Sequence, residues 1–236
     1  MNWPRFADRA EAGRRLAERL AERVAGRWPG HGVVVLALPR GGVPVAAPVA
    51  QALGAPLDVL VVRKVGVPGR PELAMGAVAS GGVRVLDETV AVRIGLPPEP
   101  MEAAFRRAEA ELAERERSLR GDRPPAEIAG RVVVIVDDGL ATGSTMRAAV
   151  EAVRPAGPAA VLVAVPVGPA DGVRALRGVA DDVICLRTPV RFIAVSQHYA
   201  DFAQVSQQEA ARLLREQEEG GDGTTAVPPR TEGPPA

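Results

Sequence analysis

Short apolar runs alternate with amphipathic segments along most of the chain. The run VVVIV at residues 132–136 is an unbroken series of β-branched residues, which is typical of a strand buried on both faces. Leu16, Leu20 and Val24 instead recur at every fourth position among arginines and glutamates, which predicts an amphipathic packing helix over residues 6–24. Strands that alternate with helices in this way predict an α/β fold with a doubly wound, mainly parallel sheet of about five strands.

The same patterns give the approximate bounds of the elements. The predicted strands are residues 33–38, 57–62, 75–79, 83–86, 132–136, 159–165 and 182–186. The predicted helices are residues 6–24, 45–53, 99–120, 143–153, 171–177 and 206–219. Residues 65–72 contain two glycines and two prolines with little periodicity, so a flexible loop is expected there. The turn Ser80-Gly81-Gly82 is expected to join its two flanking strands in a hairpin.

Composition supports a single domain with an aliphatic core. Apolar residues make up 47% of the 236-residue chain but aromatic residues only 3%, so residues 1–219 are expected to form one domain with its core at about residues 30–190. Residues 220–236 are rich in glycine, threonine and proline, and we expect a disordered tail.

Charge and cysteine content indicate which classes of partner are disfavoured and in which cell compartment the protein is expected. The formal net charge is zero, from 29 basic and 29 acidic residues, which disfavours a nucleic-acid-coating surface and a nucleic-acid partner. No apolar run approaches the roughly 20 residues of a membrane helix, so no membrane partner is expected. Cys185 is the single cysteine and cannot form an internal disulfide. Together with the absence of a signal or transit segment, this predicts a cytoplasmic protein.

Three predicted strands end in polar or glycine-rich segments. Arg40-Gly41-Gly42 follows the first strand, and Arg63-Lys64 ends the second, where Lys64 is the only lysine of the chain. The sequence DDGLATGST at residues 137–145 follows the strand 132–136. Doubly wound sheets bind ligands at the carboxyl ends of their strands. If the three strands are neighbours, their loops therefore converge on one crevice.

The small-residue loop ATGST leads from a strand into a helix. It consists of Ala141, Thr142, Gly143, Ser144 and Thr145. Backbone N–H groups at a helix start lack helical acceptors, and the helix dipole favours an anion there. A phosphate monoester fits such a loop, although the hydroxyl residues could equally serve only to cap the helix.

The two carboxylates before that loop point to a different part of the same ligand. Asp137 and Asp138 would repel a phosphate, but ionised carboxylates only accept hydrogen bonds and therefore suit vicinal hydroxyls. A phosphate beside a diol describes a ribose 5-phosphate, whereas a polar Asp-Asp-Gly turn is the simpler alternative. A Walker A loop, a GxGxxG strand–helix turn, a GxSxG elbow and metal-ligand spacing are all missing from the sequence.

The stretch VVVIVDDGLATGST resembles the phosphoribosyl pyrophosphate (PRPP) signature of the type I phosphoribosyltransferases. A broader similarity over about residues 33–204 is to a bacterial group of predicted phosphoribosyltransferases. It is carried by LPRGG, VVRKVGVPGRPELAMGAV and HYADFAQ. The resemblance implies the type I phosphoribosyltransferase fold with a flexible loop. It also implies a small hood, built from the N-terminus, from residues 187–205, or from both.

The resemblance also implies roles for the candidate residues. Asp137 and Asp138 would bind the ribose hydroxyls, and Arg40-Gly41-Gly42 would form a pyrophosphate loop with a cis peptide at Arg40–Gly41 or its neighbour. Arg63 and Lys64 would bring cations to the pyrophosphate. Catalytic candidates are Asp137, Asp138, Lys64 and Arg40. Substrate-binding candidates are Ala141, Thr142, Gly143, Ser144, Thr145, Gly41, Gly42 and Arg63.

The implied reaction is Mg²⁺-dependent transfer of the 5-phosphoribosyl group from PRPP to a small-molecule acceptor, with release of pyrophosphate. Mg²⁺ would be held by the substrate and water, without a direct protein ligand. A nitrogenous base is the expected acceptor. Enzymes for 6-oxopurines usually have an acid at the position of Ala141 and a lysine in the hood, so those bases are disfavoured. The hood would centre on Phe192, His198 and Tyr199.

Two other functions use the same pocket. One is a PRPP-binding regulatory protein without significant transferase activity, and the other is a ribose-phosphate hydrolase or phosphorylase. Arg40 and Lys64 favour transfer over a hydrolase or phosphorylase, because they are suited to pyrophosphate. A regulator would be expected to bind DNA or RNA through an added domain or a basic face, but the sequence has no helix-turn-helix signal and its N-terminal helix is roughly balanced in charge. Dimers are common among the proteins that the chain resembles, so a homodimer is the assembly that the resemblance implies.

Overall fold

The computed structural model describes residues 4–221. The strands are β1 Val33–Ala37, β2 Leu57–Val59, β3 Val62–Val67, β4 Arg70–Ala79, β5 Val83–Leu86, β6 Val132–Val136, β7 Ala160–Val167 and β8 Asp182–Arg187. The helices are α1 Arg9–Arg27, α2 Gly42–Leu53, α3 Glu88–Ile94, α4 Pro98–Arg120, α5 Ser144–Val153, α6 Ala170–Leu176 and α7 Gln207–Gly221. The predicted disordered tail lies outside the described residues except for Gly220 and Gly221, which end α7.

The main sheet confirms the predicted doubly wound architecture. Its five strands are all parallel and lie in the order β2-β1-β6-β7-β8. Helices α1, α2, α4 and α7 pack on one face and α5 and α6 on the other, which explains why β6 and β7 are apolar at every position. The chain order reverses between β1 and β6, so the ligand crevice of such a sheet is expected at their carboxyl ends.

A second, antiparallel sheet corrects two expectations. Strands β3, β4 and β5 form this small sheet in sequence order, and the predicted strand 57–62 is divided between β2 and β3. The expected loop at residues 65–72 is wrong, because this segment is the β3–β4 hairpin with its turn at Pro68-Gly69. Val65 and Val67 are buried, and Gly69 has a positive φ that suits a tight turn. The predicted hairpin of β4 and β5 is confirmed.

Helix α4 joins the two sheets through charged contacts. Arg84 of β5 forms ion pairs with Glu102 and Glu109 of α4. At the other end of α4, the Arg120 Nε donates to a carboxylate oxygen of Asp58 in β2 over 2.8 Å. The second oxygen of Asp58 accepts from the backbone N–H of Ala126 over 2.9 Å. The buried Asp58 side chain thus connects the edge strand β2 to α4 and to the segment that follows α4.

None of the helices between residues 4 and 221 is both long enough and apolar enough to span a lipid bilayer.

Candidate functional site

The loops after β1 and β6 meet at the switch point of the main sheet. The Leu38 N–H donates to the Val136 carbonyl oxygen over 2.9 Å. A Cβ atom on Gly42 would lie 2.7 Å from that same oxygen, and one on Gly41 would lie 2.2 Å from Asp138 Oδ2. The two glycines therefore allow the first loop to lie directly against the carboxylates of the second. The peptide bond between Pro39 and Arg40 is cis, at the neighbour of the bond Arg40–Gly41.

Replacing Gly41 with Ala is expected to weaken ligand binding without backbone strain. Gly41 has φ −61° and ψ −33°, which Ala adopts freely, so the only conflict is between the added methyl group and the Asp138 carboxylate. We expect the affinity for a ribose-phosphate ligand to fall by at least about tenfold, or roughly 1.4 kcal/mol, in a calorimetric titration. Gly26→Ala is the matched control, because nothing lies within 4 Å of its added Cβ in α1. Unchanged affinity in Gly41→Ala would show that the carboxylate is not held against this loop.

The acid pair lies in a largely desolvated position. Both side chains are half-buried, and the Asp137 Oδ1 accepts a hydrogen bond from the Asp138 backbone N–H over 2.8 Å. Burial, reinforced by the charge of Asp138, raises the pKa of the Asp137 carboxyl well above its usual range. Burial also raises the pKa of Asp138, although the nearby Arg9 guanidinium opposes that change. The pair is therefore costly to ionise without a partner that donates hydrogen bonds.

Arg9 contacts the acid pair, a role that no sequence pattern indicated. Its Nε donates to Asp138 Oδ2 over 2.9 Å from the first turn of α1, which was expected only to pack against the domain. The two residues are separated by 129 positions, so no local pattern relates them. The guanidinium also lies over the ring of Phe202, 3.8 Å from its centroid, within the HYADFAQ segment.

The ATGST loop presents an open helix N-terminus. Ala141, Thr142, Ser144 and Thr145 are exposed, and within residues 4–221 the N–H groups of Ala141, Thr142, Gly143 and Thr145 have no acceptor. Ser144 begins α5, and the Lys64 ammonium donates to its hydroxyl oxygen over 2.8 Å. Free N–H groups, hydroxyls and a lysine at a helix start form a suitable site for a phosphate.

Of the remaining predicted site residues, Arg40 and Gly42 lie beside the acid pair, whereas Arg63 points away from it. Arg40 is half-buried in the loop beside the acid pair, whereas the Gly42 N–H already donates to the Leu38 carbonyl oxygen over 3.0 Å. Arg63 does not join the acid pair and the ATGST loop, because its guanidinium forms an ion pair with Glu111 of α4. Adjacent residues of a strand point to opposite faces, so Arg63 faces away when Lys64 faces the phosphate loop.

A hood segment covers the acid pair and consists of residues 198–203 together with the N-terminal residues 4–7. Phe6 N–H donates to the His198 carbonyl oxygen, and Ala200 N–H donates to the Phe6 carbonyl oxygen. The Tyr199 ring packs on Phe6, with ring centroids 5.4 Å apart. Its hydroxyl donates to the Asp138 carbonyl oxygen over 2.6 Å. The hood segment therefore reaches the backbone of the acid pair directly.

His198 has a stacked aromatic neighbour. Its ring lies parallel to that of Phe192 with centroids 5.7 Å apart, and its Nε2 is buried without a hydrogen-bond partner among the described residues. Burial lowers the pKa of His198, and Arg187 lowers it further, so the neutral imidazole is favoured. The unused nitrogen of a neutral imidazole can either donate a hydrogen bond to a ligand or accept one from it, depending on the tautomer.

Within residues 4–221, no group of three or more His, Cys, Asp or Glu side chains comes close enough together to hold a metal ion. The oxygen-rich acid pair and the phosphate loop suit a hard cation that arrives already bound to phosphate oxygens.

Comparison with known proteins identifies the family of the chain. A family model described as a phosphoribosyl transferase domain matches residues 7–201. TT1426 from Thermus thermophilus, known from a crystal structure, is 44% identical, with a TM-score of 0.76 over 90% of this chain and 99% of that chain. Two Mycobacterium tuberculosis proteins, Rv0571c of strain H37Rv and MT0597 of strain CDC 1551, are named provisionally as phosphoribosyl transferases. Each is 49% identical over 209 residues, which are 89% of this chain and 46% of the relative. The chain thus spans about half the length of these curated relatives.

Proposed function

The chain belongs to the phosphoribosyl transferase domain family, and we propose that it transfers the 5-phosphoribosyl group of PRPP to a nitrogenous base. The observation that supports the proposal most is the meeting of three elements at the switch point. These are the acid pair, the open ATGST helix start and the glycine loop after β1. A ribose with phosphate groups on two sides matches that arrangement of acceptors and donors.

The acid pair would bind the sugar of PRPP. Its half-buried carboxylates would accept hydrogen bonds from the 2- and 3-hydroxyls, while the free N–H groups of the ATGST loop hold the 5-phosphate. Burial raises the pKa of both carboxyls, so their ionised forms carry a desolvation cost. Hydroxyl donors would stabilise these ionised forms, so binding the diol would also relieve that cost.

Arg40 and Lys64 would act on the phosphate groups. Arg40 lies in the loop next to Asp138, and the Lys64 ammonium lies at the start of α5. In the proposed reaction the acceptor nitrogen attacks C1 of the ribose, and the bond from C1 to the pyrophosphate oxygen breaks. Arg40 would stabilise charge that develops on the leaving pyrophosphate. Lys64 lies at the loop that would hold the 5-phosphate, so it would neutralise that group and would have to leave Ser144 to reach the pyrophosphate. Mg²⁺ bound to the pyrophosphate would supply further neutralisation, held mainly by substrate oxygens and water.

The acceptor would bind beneath the hood segment. We propose that the domain comprises residues 1–219 and that both its N-terminus and residues 187–205 form the hood, because Phe6 and Ala7 pair with residues 198–201. Phe192 and His198 offer a flat aromatic surface and one unused ring nitrogen, which suit a heteroaromatic base. Ala141 provides no side-chain hydrogen bond, and this supports an acceptor other than a 6-oxopurine.

A screen for pyrophosphate release tests the proposed activity. The chain is mixed with PRPP, Mg²⁺ and one candidate acceptor at a time, drawn from purines, pyrimidines and pyridine carboxylates. We expect release with at least one acceptor that is not a 6-oxopurine, and none from the double variant Asp137→Asn/Asp138→Asn. Binding of PRPP without release for any acceptor would support a PRPP-binding regulator instead. Equal release by the double variant would show that the activity does not arise at this site.

A further inference from the structure

Arg9 makes three separate contacts, all on the hood side of the acid pair. Its Nε donates to Asp138 Oδ2, and its side chain is only 11% exposed. A terminal nitrogen, Nη1, donates to the Ala203 carbonyl oxygen over 2.8 Å, and the guanidinium carbon lies over the Phe202 ring, 3.8 Å from its centroid. A guanidinium is suited to this task because its several N–H groups have fixed directions and its face binds aromatic rings.

The position of Arg9 is itself fixed by the fold. Asp8 caps α1 by accepting a hydrogen bond from the Glu11 N–H over 2.7 Å, so Arg9 is the first residue of the helix. The preceding residues are paired with the hood, because the Asp201 N–H donates to the Ala7 carbonyl oxygen over 2.8 Å. Restraints on both sides hold the Arg9 side chain toward Asp138.

Asp138 is consequently held at two points by the same segment of chain. Tyr199 bonds its backbone carbonyl oxygen, and Arg9 connects its carboxylate to Phe202 and Ala203. Without a cation, two adjacent carboxylates would present two negative charges to PRPP, which is a polyanion. Among residues 4–221, Asp137, Tyr199 and Arg9 contact or adjoin Asp138, and Arg40 lies in the neighbouring loop beside the acid pair. Arg9 is the cation among the three that contact or adjoin it.

We propose that Arg9 is a positioning residue of the ribose site. It orients the Asp138 carboxylate toward the ribose hydroxyls, cancels one of the two negative charges beside a polyanionic substrate, and links this carboxylate to the hood segment. The inference rests on the proposed function, since it takes PRPP as the ligand. The Arg9 side chain thereby couples the hood segment to the sugar site.

Arg9→Met tests the inference through affinity and through a spectroscopic signature. We expect the affinity for PRPP with Mg²⁺, measured by titration calorimetry, to fall by at least about tenfold. In ¹³C-carboxyl NMR of the ligand-free chain, the titration midpoint of Asp138 should move to higher pH, because Arg9 lowers its pKa. Arg14→Met is the matched control, because Arg14 is an exposed residue of the same helix, and it should change neither quantity.

Conservative variants separate orientation from charge. Arg9→Lys should recover part of the affinity, since it keeps the charge but lacks the planar group that bonds Ala203 while stacking on Phe202. If Arg9→Met does not fold, Arg9→Lys still tests the inference: affinity equal to that of the unmodified chain would overturn it. Wild-type affinity and an unmoved Asp138 midpoint in Arg9→Met would overturn it as well. Failure of the unmodified chain to bind PRPP would instead overturn the proposed function, while the NMR titration would still report whether Arg9 controls Asp138.

Discussion

Replacing Asp137 with Asn is expected to stabilise the ligand-free chain and to remove most of its affinity for PRPP. Burial and the neighbouring Asp138 raise the pKa of Asp137 in the folded state. A carboxyl whose pKa is raised by folding destabilises the folded state at every pH above its unfolded value, because its ionised form is disfavoured there. Asn has no charge, and its amide oxygen can still accept the Asp138 N–H. We expect the melting temperature at neutral pH to rise by about 2–4 °C, or roughly 1 kcal/mol.

The pH dependence and the affinity provide separate checks of this prediction. As the pH falls through the raised pKa of Asp137, the unmodified chain binds a proton and its melting temperature should approach that of the variant. The affinity for PRPP should fall by about ten- to a hundredfold, since a hydrogen bond to a charged group contributes roughly 1.5–3 kcal/mol. Asp171→Asn is the control, because Asp171 is exposed and bonds only the Gly172 N–H. A variant that is less stable at neutral pH would contradict the desolvation of Asp137.

Among the substitutions considered, Asp58→Ala is expected to lower the free energy of unfolding most. The side chains of Asp58 and Arg120 are 7% and 8% exposed, and removal of the carboxylate leaves a buried guanidinium without this partner. The Ala126 N–H loses its acceptor as well. Breaking a buried ion pair from one side costs about 3–5 kcal/mol. Arg120 keeps the Glu116 carboxylate at 3.6 Å, so we expect a loss toward the lower end of that range, seen in urea unfolding as a lower midpoint at an unchanged slope.

Asp122→Ala provides the comparison for Asp58→Ala. Asp122 is exposed in the turn that follows α4, so its removal should change the free energy of unfolding by less than about 0.5 kcal/mol. Asp58 lies outside the proposed ligand site, and folded Asp58→Ala should therefore bind PRPP within about twofold of the unmodified chain. A loss below about 1 kcal/mol in Asp58→Ala would show that the strand–helix connection depends on apolar packing instead.

The fold was predictable where burial leaves a clear pattern in the sequence. The strand 132–136 was predicted to the residue, because a strand covered on both faces must be apolar at every position. The β3–β4 hairpin was not, because its glycines and prolines resemble those of a loop and its alternation of buried positions covers only Val65 and Val67. The same error concealed the opposite orientations of Arg63 and Lys64, which follow from strand alternation.

Sequence motifs predicted the acid pair and the phosphate loop, but they did not predict the residues that reach the site from distant parts of the chain. The phosphate loop and acid pair lie on one continuous stretch of sequence, so their proximity is local. Arg9 reaches Asp138 across 129 positions and depends on the cap at Asp8, the pairing of Phe6 with Tyr199 and the ring of Phe202. None of these contacts has a signature in sequence spacing, because each arises only when the N-terminus folds onto the hood.

If the crevice binds PRPP, a thermal unfolding measurement with PRPP and Mg²⁺ will show that the ligand stabilises the folded state. At a PRPP concentration about a hundred times its dissociation constant, linkage stabilises the folded state by about 2.7 kcal/mol. For a domain of this size we expect a rise in melting temperature of about 5–10 °C, absent in Asp137→Asn/Asp138→Asn. An unchanged melting temperature of the unmodified chain at millimolar PRPP would show that the crevice does not bind PRPP.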